Sequence, residues 1–256
     1  ITQWLQTTHS MSRLALRGAP LSAAQLMASA RARTGLHDFG PEPIEDALDR
    51  LQTSFREEAH LNLFGRLSTH WDNLRLLTNL LILRERELAD PTILQRPLER
   101  PIFVLGMPRS GSSFLHALLA EDEASFTPRC WQAIYPYPDH PAAGRHAGPK
   151  KVQKQFDFFN RLAPDLHNVH PFDAFTPQEC TEFTAHSFRS LRFETTYHVP
   201  SYKRWVQQTD HLLAYRTHRR FLQHLQRSAT QRCVLKSPDH VFAMDALRQV
   251  YPDALV

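Results

Sequence analysis

The stretch that decides the fold is RPIFVLGMPRSGSSFLHALL, residues 100–119. Ile102 to Leu105 form a short apolar run, typical of a strand buried in a parallel sheet. Gly106 and Gly111 permit tight backbone turns, and residues 112–119 predict a helix whose first N–H groups face the loop. Since a helix N-terminus attracts negative charge, the sequence predicts an anion-binding loop between a strand and a helix.

The loop departs in one respect from the phosphate loop of nucleoside triphosphatases. Gly106 and Gly111 have the expected spacing, but Ser112 stands where those enzymes have a lysine. The cation lies inside the loop as Arg109, whose planar guanidinium suits a phosphate or sulfate held without metal. The predicted anion-binding residues are Arg109, Ser110, Gly111, Ser112 and Ser113.

Strand and helix patterns alternate after residue 96. A strand over 232–235, a helix over 241–250 and a new apolar start at Ala254 predict an α/β fold, a P-loop-like parallel sheet flanked by helices. Lys236 ends the second strand, at the carboxyl edge where open α/β sheets bind ligands. A long helix is also expected over 202–228.

The residues before the sheet read as an N-terminal helical region. Helical patterns cover 21–33, 44–60, and a longer segment that starts at 62 or 68 and ends at 88. We therefore expect a helical cap or docking region over residues 1–95 and a nucleotide-binding α/β domain over 96–256.

Composition narrows the class of protein. The chain has 256 residues, is 42% hydrophobic and 22% charged, and carries a formal net charge of +4. These proportions suit a globular protein, and the scattered charges disfavour nucleic acid as a partner. Three widely spaced cysteines without a C-x-x-C motif fit a reducing cytoplasm, and no apolar segment is long enough to predict a transmembrane protein. His167 and His170 are three residues apart, but this pair alone is a weak indication of a metal site.

Several segments, in this order, resemble the bacterial-type members of the sulfotransferase superfamily that use 3′-phosphoadenosine 5′-phosphosulfate (PAPS). The matching segments are TGLHDFG at 34–40, PRSGSS at 108–113, PQEC at 177–180, VLKSPDH at 234–240 and YPDA at 251–254. The resemblance implies that the loop binds the 5′-phosphosulfate and that Lys236 neutralises charge on the leaving phosphate. It also implies a strand and an Arg- and Ser-bearing segment for the 3′-phosphate beyond Val256, so that the C-terminal part of the domain is missing here.

The implied reaction moves a sulfuryl group from PAPS to a hydroxyl or amine of a small molecule, lipid or carbohydrate, with no metal. Related sulfotransferases often have a glutamate base beside a tryptophan, but here the pair is Trp131-Gln132, and glutamine cannot accept a proton. His240, Glu179 and His116 remain as candidate bases. If His240 is the base, turnover should fall as the pH drops through about 6.5.

Two other functions stay open at this stage. A non-catalytic nucleotide- or anion-binding protein would keep the loop and lose the base, and Gln132 favours this alternative. A small-molecule kinase is disfavoured because the loop lacks its lysine and no magnesium-binding carboxylate ends a second strand.

Overall fold

Three short parallel strands form the centre of the molecule. The computed structural model describes residues 21–165, 173–226 and 231–256. The strands are β1 (Ile102–Val104), β2 (Ser125–Phe126) and β3 (Arg232–Lys236), and they lie in the order β1-β3-β2. Both pairings are parallel, which confirms the predicted α/β class.

The sheet continues beyond β1 through the end of the chain. Leu255 forms a parallel bridge with Ile102, and its carbonyl accepts a hydrogen bond of 2.8 Å from Phe103 N–H. The apolar start predicted at Ala254 therefore adds a fourth position to the sheet, on the side of β1 that faces away from β3.

Helices surround this sheet. They are α1 (Ala23–Thr34), α2 (Glu45–Glu57), α3 (Leu63–Ala89), α4 (Ser112–Leu119), α5 (Cys130–Ile134), α6 (Pro149–Leu162), α7 (Thr181–Thr184), α8 (Arg192–Thr196), α9 (Pro200–Gln208), α10 (Leu212–Leu225) and α11 (Met244–Val250). Within the described ranges, none of these helices is both long and apolar enough to cross a bilayer.

The prediction of one continuous helix over 202–228 is wrong in its middle. The structure has α9 and α10 instead, separated at residues 209–211. Thr209 is extended, and the Asp210 carboxylate accepts a hydrogen bond of 2.7 Å from Leu212 N–H. Asp competes with the backbone for such bonds and so favours a helix start over a helix interior. The predicted end at Ser228 lies outside the described residues.

The helix predicted over 241–250 is shorter than expected. A 3₁₀ turn occupies Pro238–Phe242, and α11 begins only at Met244. Ser237 caps the turn, since its hydroxyl accepts a hydrogen bond of 3.1 Å from Asp239 N–H. The turn places residues 237–240 directly after the end of β3.

The described residues form three hydrophobic cores, of which the two larger ones hold the layers together and the smallest packs α5 against α6. One of the larger cores joins α1, α2 and residues 74–81 of α3 to residues 185–206, and the other packs α10 and α11 against the sheet. Leu83, near the end of α3, belongs to the second core. Because each of the two larger cores draws residues from both sides of residue 95, the division into 1–95 and 96–256 stays a prediction.

Candidate functional site

The loop between β1 and α4 has the conformation of an anion-binding turn. Arg109 and Gly111 both have a positive φ, 71° and 84°. The Ser110 hydroxyl donates a hydrogen bond of 2.7 Å to Met107 O, which closes the turn. Leu115 N–H donates the first helical bond of α4, to Gly111 O, so the N–H groups of residues 112–114 remain for a ligand, whereas Ser110 N–H donates to Met107 O. All five predicted anion-binding residues therefore lie together at one helix N-terminus.

Gly111 fixes the left-handed turn at which α4 begins. We expect Gly111→Ala to lower the free energy of unfolding by about 1–2 kcal/mol, because an L side chain is strained in this region. No atom lies within 4 Å of the added Cβ, so the loss is purely conformational. Urea unfolding measures it, with Gly111→Asn as the control, since asparagine tolerates the left-handed region better. Equal losses in the two variants would contradict this explanation.

Lys236 lies beside the loop and is paired with Glu179. In the sheet register Lys236 is opposite Val104, and the loop begins two residues after Val104, at Gly106. The lysine is 4% exposed, and its Nζ donates a hydrogen bond to Glu179 Oε1. Cys180 N–H donates to Lys236 O at 2.9 Å, which fixes the segment carrying Glu179 to the end of β3. The structure thus brings together the lysine and one of the candidate bases.

His116 is buried beneath the loop. Its Nε2 lies 3.2 Å from Val234 O, and since a carbonyl only accepts, Nε2 carries the proton. Burial lowers the pKa of His116 to about 4, so the ring is neutral at physiological pH. The side chain ties α4 to β3, and this role accounts for its position without catalysis.

His240 is also buried, at 1% exposure. Its Nδ1 shares a hydrogen bond with the Tyr215 hydroxyl, and its ring packs edge-on against Phe103 with centroids 4.9 Å apart. Burial, aided by His218 and Lys236, holds the pKa of His240 well below its usual value. The expected loss of turnover near pH 6.5 therefore does not suit this histidine, whose ionisation lies at lower pH.

Gln132 has a structural role at the start of α5. Its Oε1 accepts a hydrogen bond of 2.8 Å from Arg129 N–H, the bond of a helix cap. A glutamine satisfies this geometry as well as a glutamate would, which explains how the position retains its local structure without a titratable group.

Asp239 is a titratable residue near the site that sequence analysis did not single out. Burial, together with the charges of Glu179 and Glu194, raises the pKa of Asp239 to about 6. The available signal was its place in Lys236-Ser-Pro-Asp239, three residues after a strand-end lysine. A carboxyl that titrates near neutrality beside Glu179 is a further candidate proton acceptor.

Asp239 also makes stability depend on pH. Because its pKa is raised in the folded state, folding binds a proton between about pH 4 and 6, and stability falls as the pH rises through this window. We expect Asp239→Asn to be more stable than the parent by about 1–2 kcal/mol above pH 7 and to lose this advantage below pH 4. Urea unfolding at pH 4 and pH 7.5 tests it, and an advantage independent of pH would refute it.

The described part of the chain contains no group of three His, Cys, Asp or Glu side chains placed to hold a metal ion. His167 and His170 lie outside that part. Cys130, Cys180 and Cys233 are all buried free thiols.

Known proteins resemble this chain in sequence and in fold. Residues 101–256 match the model of the sulfotransferase family. Sulfotransferase STF1 from Mycobacterium tuberculosis H37Rv is 31% identical, with a TM-score of 0.79 over 94% of this chain and 67% of that chain. Sulfotransferase STF9 from Mycobacterium avium is 26% identical, with a TM-score of 0.75 over 91% of this chain and 61% of that chain. No curated protein matches significantly. The chain thus spans about two thirds of each of these structures, and it belongs to the sulfotransferase family.

Proposed function

We propose that the protein transfers a sulfuryl group from PAPS to a hydroxyl or amine of a small-molecule, lipid or carbohydrate acceptor. The observation that carries this proposal is the pairing of Lys236 with Glu179 beside the anion-binding loop. It supplies a cation for the leaving group and a carboxylate for the acceptor proton, next to a cradle for the donor.

The cradle consists of Arg109, Ser110, Gly111, Ser112 and Ser113. The backbone N–H groups at the start of α4 and the hydroxyls of Ser112 and Ser113 donate to the 5′-phosphosulfate, while Ser110 shapes the turn and the Arg109 guanidinium adds charge. The Ser110 hydroxyl closes the turn, and α4 begins directly after Gly111. The hydrogen-bond donors of the loop are therefore oriented before PAPS binds.

Transfer then needs one proton acceptor and one cation. The hydroxyl oxygen or amine nitrogen of the acceptor substrate attacks sulfur, and the bond between sulfur and the bridging oxygen breaks. The proton of that hydroxyl or amine passes to Glu179. Lys236 has three N–H donors, so it can hold Glu179 and still donate to the bridging oxygen as negative charge develops there.

Glu179 is a better candidate for the base than His240, because its side chain is more accessible to an acceptor substrate. The Glu179 side chain is 26% exposed, whereas the His240 ring is enclosed by Phe103 and Tyr215. An acceptor hydroxyl can reach the carboxylate without moving either aromatic ring.

The proposal extends to the surroundings of the site. We assign residues 1–95, of which the structure describes 21–95, the role of a cap on the nucleotide-binding residues 96–256. The three buried free thiols favour a reducing compartment such as the cytoplasm.

Binding of 3′-phosphoadenosine 5′-phosphate is the direct test. We expect this product nucleotide to raise the melting temperature in the presence of EDTA, because binding to the folded state stabilises it and Arg109 replaces a metal. Thermal shift with ATP and magnesium is the control. A shift seen only with ATP and magnesium would favour a kinase, and nucleotide binding without sulfuryl transfer to any acceptor would favour a non-catalytic binder.

A further inference from the structure

A cavity lies between α1 and α3 on one side and residues 135–151 on the other. It measures about 360 Å³, counting its open mouth, and none of its lining residues belongs to the loop or to the end of β3. Its polar and aromatic walls come from four segments, namely Arg33 on α1, Trp71, Arg75 and Thr78 on α3, Tyr135 after α5, and Lys151 on α6.

Two cations converge on the cavity. Lys151 Nζ and Arg33 Nη2 donate to the adjacent carbonyls of Ala143 and Ala142, at 3.3 and 3.5 Å. A Cβ added to Gly144 would lie 3.1 Å from Lys151 Nζ and 3.8 Å from Arg33 Nη2. The two charged ends therefore face the same small region although they belong to different helices.

Neither cation has an acidic partner. Among residues 21–165, 173–226 and 231–256, no carboxylate lies within 4.0 Å of the charged nitrogens of Arg33 or Lys151. The rest of the sequence, residues 1–20, 166–172 and 227–230, contains no Asp or Glu. Neither charge is therefore paired directly with an acidic side chain among the described residues.

Arg75 and Thr78 add unpartnered donors at the cavity wall. Arg75 Nη2 is paired with Asp72 and Glu182, but its Nε and Nη1 have no hydrogen-bond partner among the described residues. The Thr78 hydroxyl, on the next turn of α3, also has none. Both residues are more than nine-tenths buried. Since an unpaired buried donor is costly, a ligand that supplies acceptor oxygens here would be favoured.

The buried ion pairs do not cancel the surplus charge. Arg75 and Arg192 share the two carboxylates of Asp72 and Glu182, so this cluster is neutral by itself. Arg33 and Lys151 remain as two uncompensated positive charges at the mouth. The aromatic rings supply an apolar wall, since Lys151 Nζ lies 4.6 Å from the Tyr135 centroid and Arg75 Cζ lies 5.6 Å from that of Trp71.

We propose that this cavity is a second anion-binding site, which holds the carboxylate or sulfate group of a small molecule with an aromatic or apolar body. Arg33 and Lys151 bind the charged group, Arg75 and Thr78 donate to its inner oxygens, and Trp71 and Tyr135 contact its body. The site is separate from the loop, and it does not depend on sulfuryl transfer by the protein.

Calorimetric titration with benzoate, phenyl sulfate, inorganic sulfate and the neutral benzamide tests this site. We expect benzoate and phenyl sulfate to bind and benzamide not to bind. Lys151→Met and Arg33→Met should each raise the dissociation constant by about tenfold or more, as expected for the loss of a charge-assisted bond. Both side chains are at least partly exposed, so the variants should fold, which their melting temperatures will show.

The matched control is Lys154→Met, which removes an exposed lysine one turn further along α6 and should leave benzoate affinity unchanged. Excess 3′-phosphoadenosine 5′-phosphate should also leave it unchanged, because that nucleotide is expected at the loop. Equal binding of benzoate and benzamide, displacement by the nucleotide, or equal effects of Lys151→Met and Lys154→Met would each overturn the proposal. Inorganic sulfate binding as tightly as phenyl sulfate would overturn the role of the aromatic wall. Since no step uses PAPS, failure here is distinct from failure of the sulfotransferase function.

Discussion

Glu179→Gln is expected to lower kcat by roughly two to four orders of magnitude while binding of 3′-phosphoadenosine 5′-phosphate is retained, the typical cost of losing a general base. Glutamine still offers Lys236 an acceptor oxygen, so the contact at the end of β3 can persist. What the variant loses is the ability to take the acceptor proton. The measurement is kcat with a working acceptor, alongside nucleotide affinity by thermal shift.

Two comparisons make this result specific. Glu57→Gln neutralises an exposed glutamate on α2 and should leave kcat unchanged. Asp239→Asn removes the other carboxyl near the site, and a loss of turnover there with full activity in Glu179→Gln would transfer the base to Asp239. A parallel loss of nucleotide affinity in Glu179→Gln would instead show that Glu179 holds the donor.

Lys236→Met should reduce kcat by about 10²–10³-fold, the range measured when one donor to a developing oxyanion is removed. Methionine keeps an apolar stem of similar length in a position that is 4% exposed, while Glu179 is exposed enough to be solvated without its partner. Nucleotide affinity should change little, because the cradle at the start of α4 is intact.

Arg109→Met is the counterpart of that variant. Arg109 is exposed on the loop, and its proposed role is to hold the 5′-phosphosulfate, so its loss should weaken nucleotide binding more than turnover at saturation. If Lys236→Met and Arg109→Met show the same pure loss of binding, the division of labour between the two cations is wrong.

The parts of the fold that the sequence predicted are those fixed by local chemistry. The loop between residues 102–105 and 112–119 contains two glycines at defined positions, Gly106 and Gly111. The residues that predict the strand, the turn and the helix therefore all lie close together in sequence. The break at residues 209–211 was missed because hydrophobic periodicity continues across it, whereas the turn depends on a single Asp210 side chain. The local sequence pattern thus predicts where helices and strands occur better than it predicts a break within a helix.

The candidate site was predictable only where its residues end a strand or a loop. Lys236 was recognised from its place after β3, but its pairing with Glu179 depends on the path of the chain between them. The sequence also offers no sign that the His240 ring turns inward, since exposed and buried histidines in such a turn have the same pattern. The cavity near Lys151 and Arg33 could not be predicted from the sequence, because its walls come from separate segments that only the tertiary fold brings together.

The pairing of β1 with β3 has a consequence for the order of folding. Ile102 is hydrogen-bonded beside Val234, well over a hundred residues later in the chain, whereas α1 to α3 follow one another and pack directly. Contacts so distant in sequence form slowly because a long loop must close first. Contacts among α1, α2 and α3 can therefore form early, before residues 185–206 complete their core, but the loop, Lys236 and Glu179 meet only when β3 has docked. During refolding, recovery of nucleotide binding should lag behind recovery of helical circular dichroism and report the completed sheet.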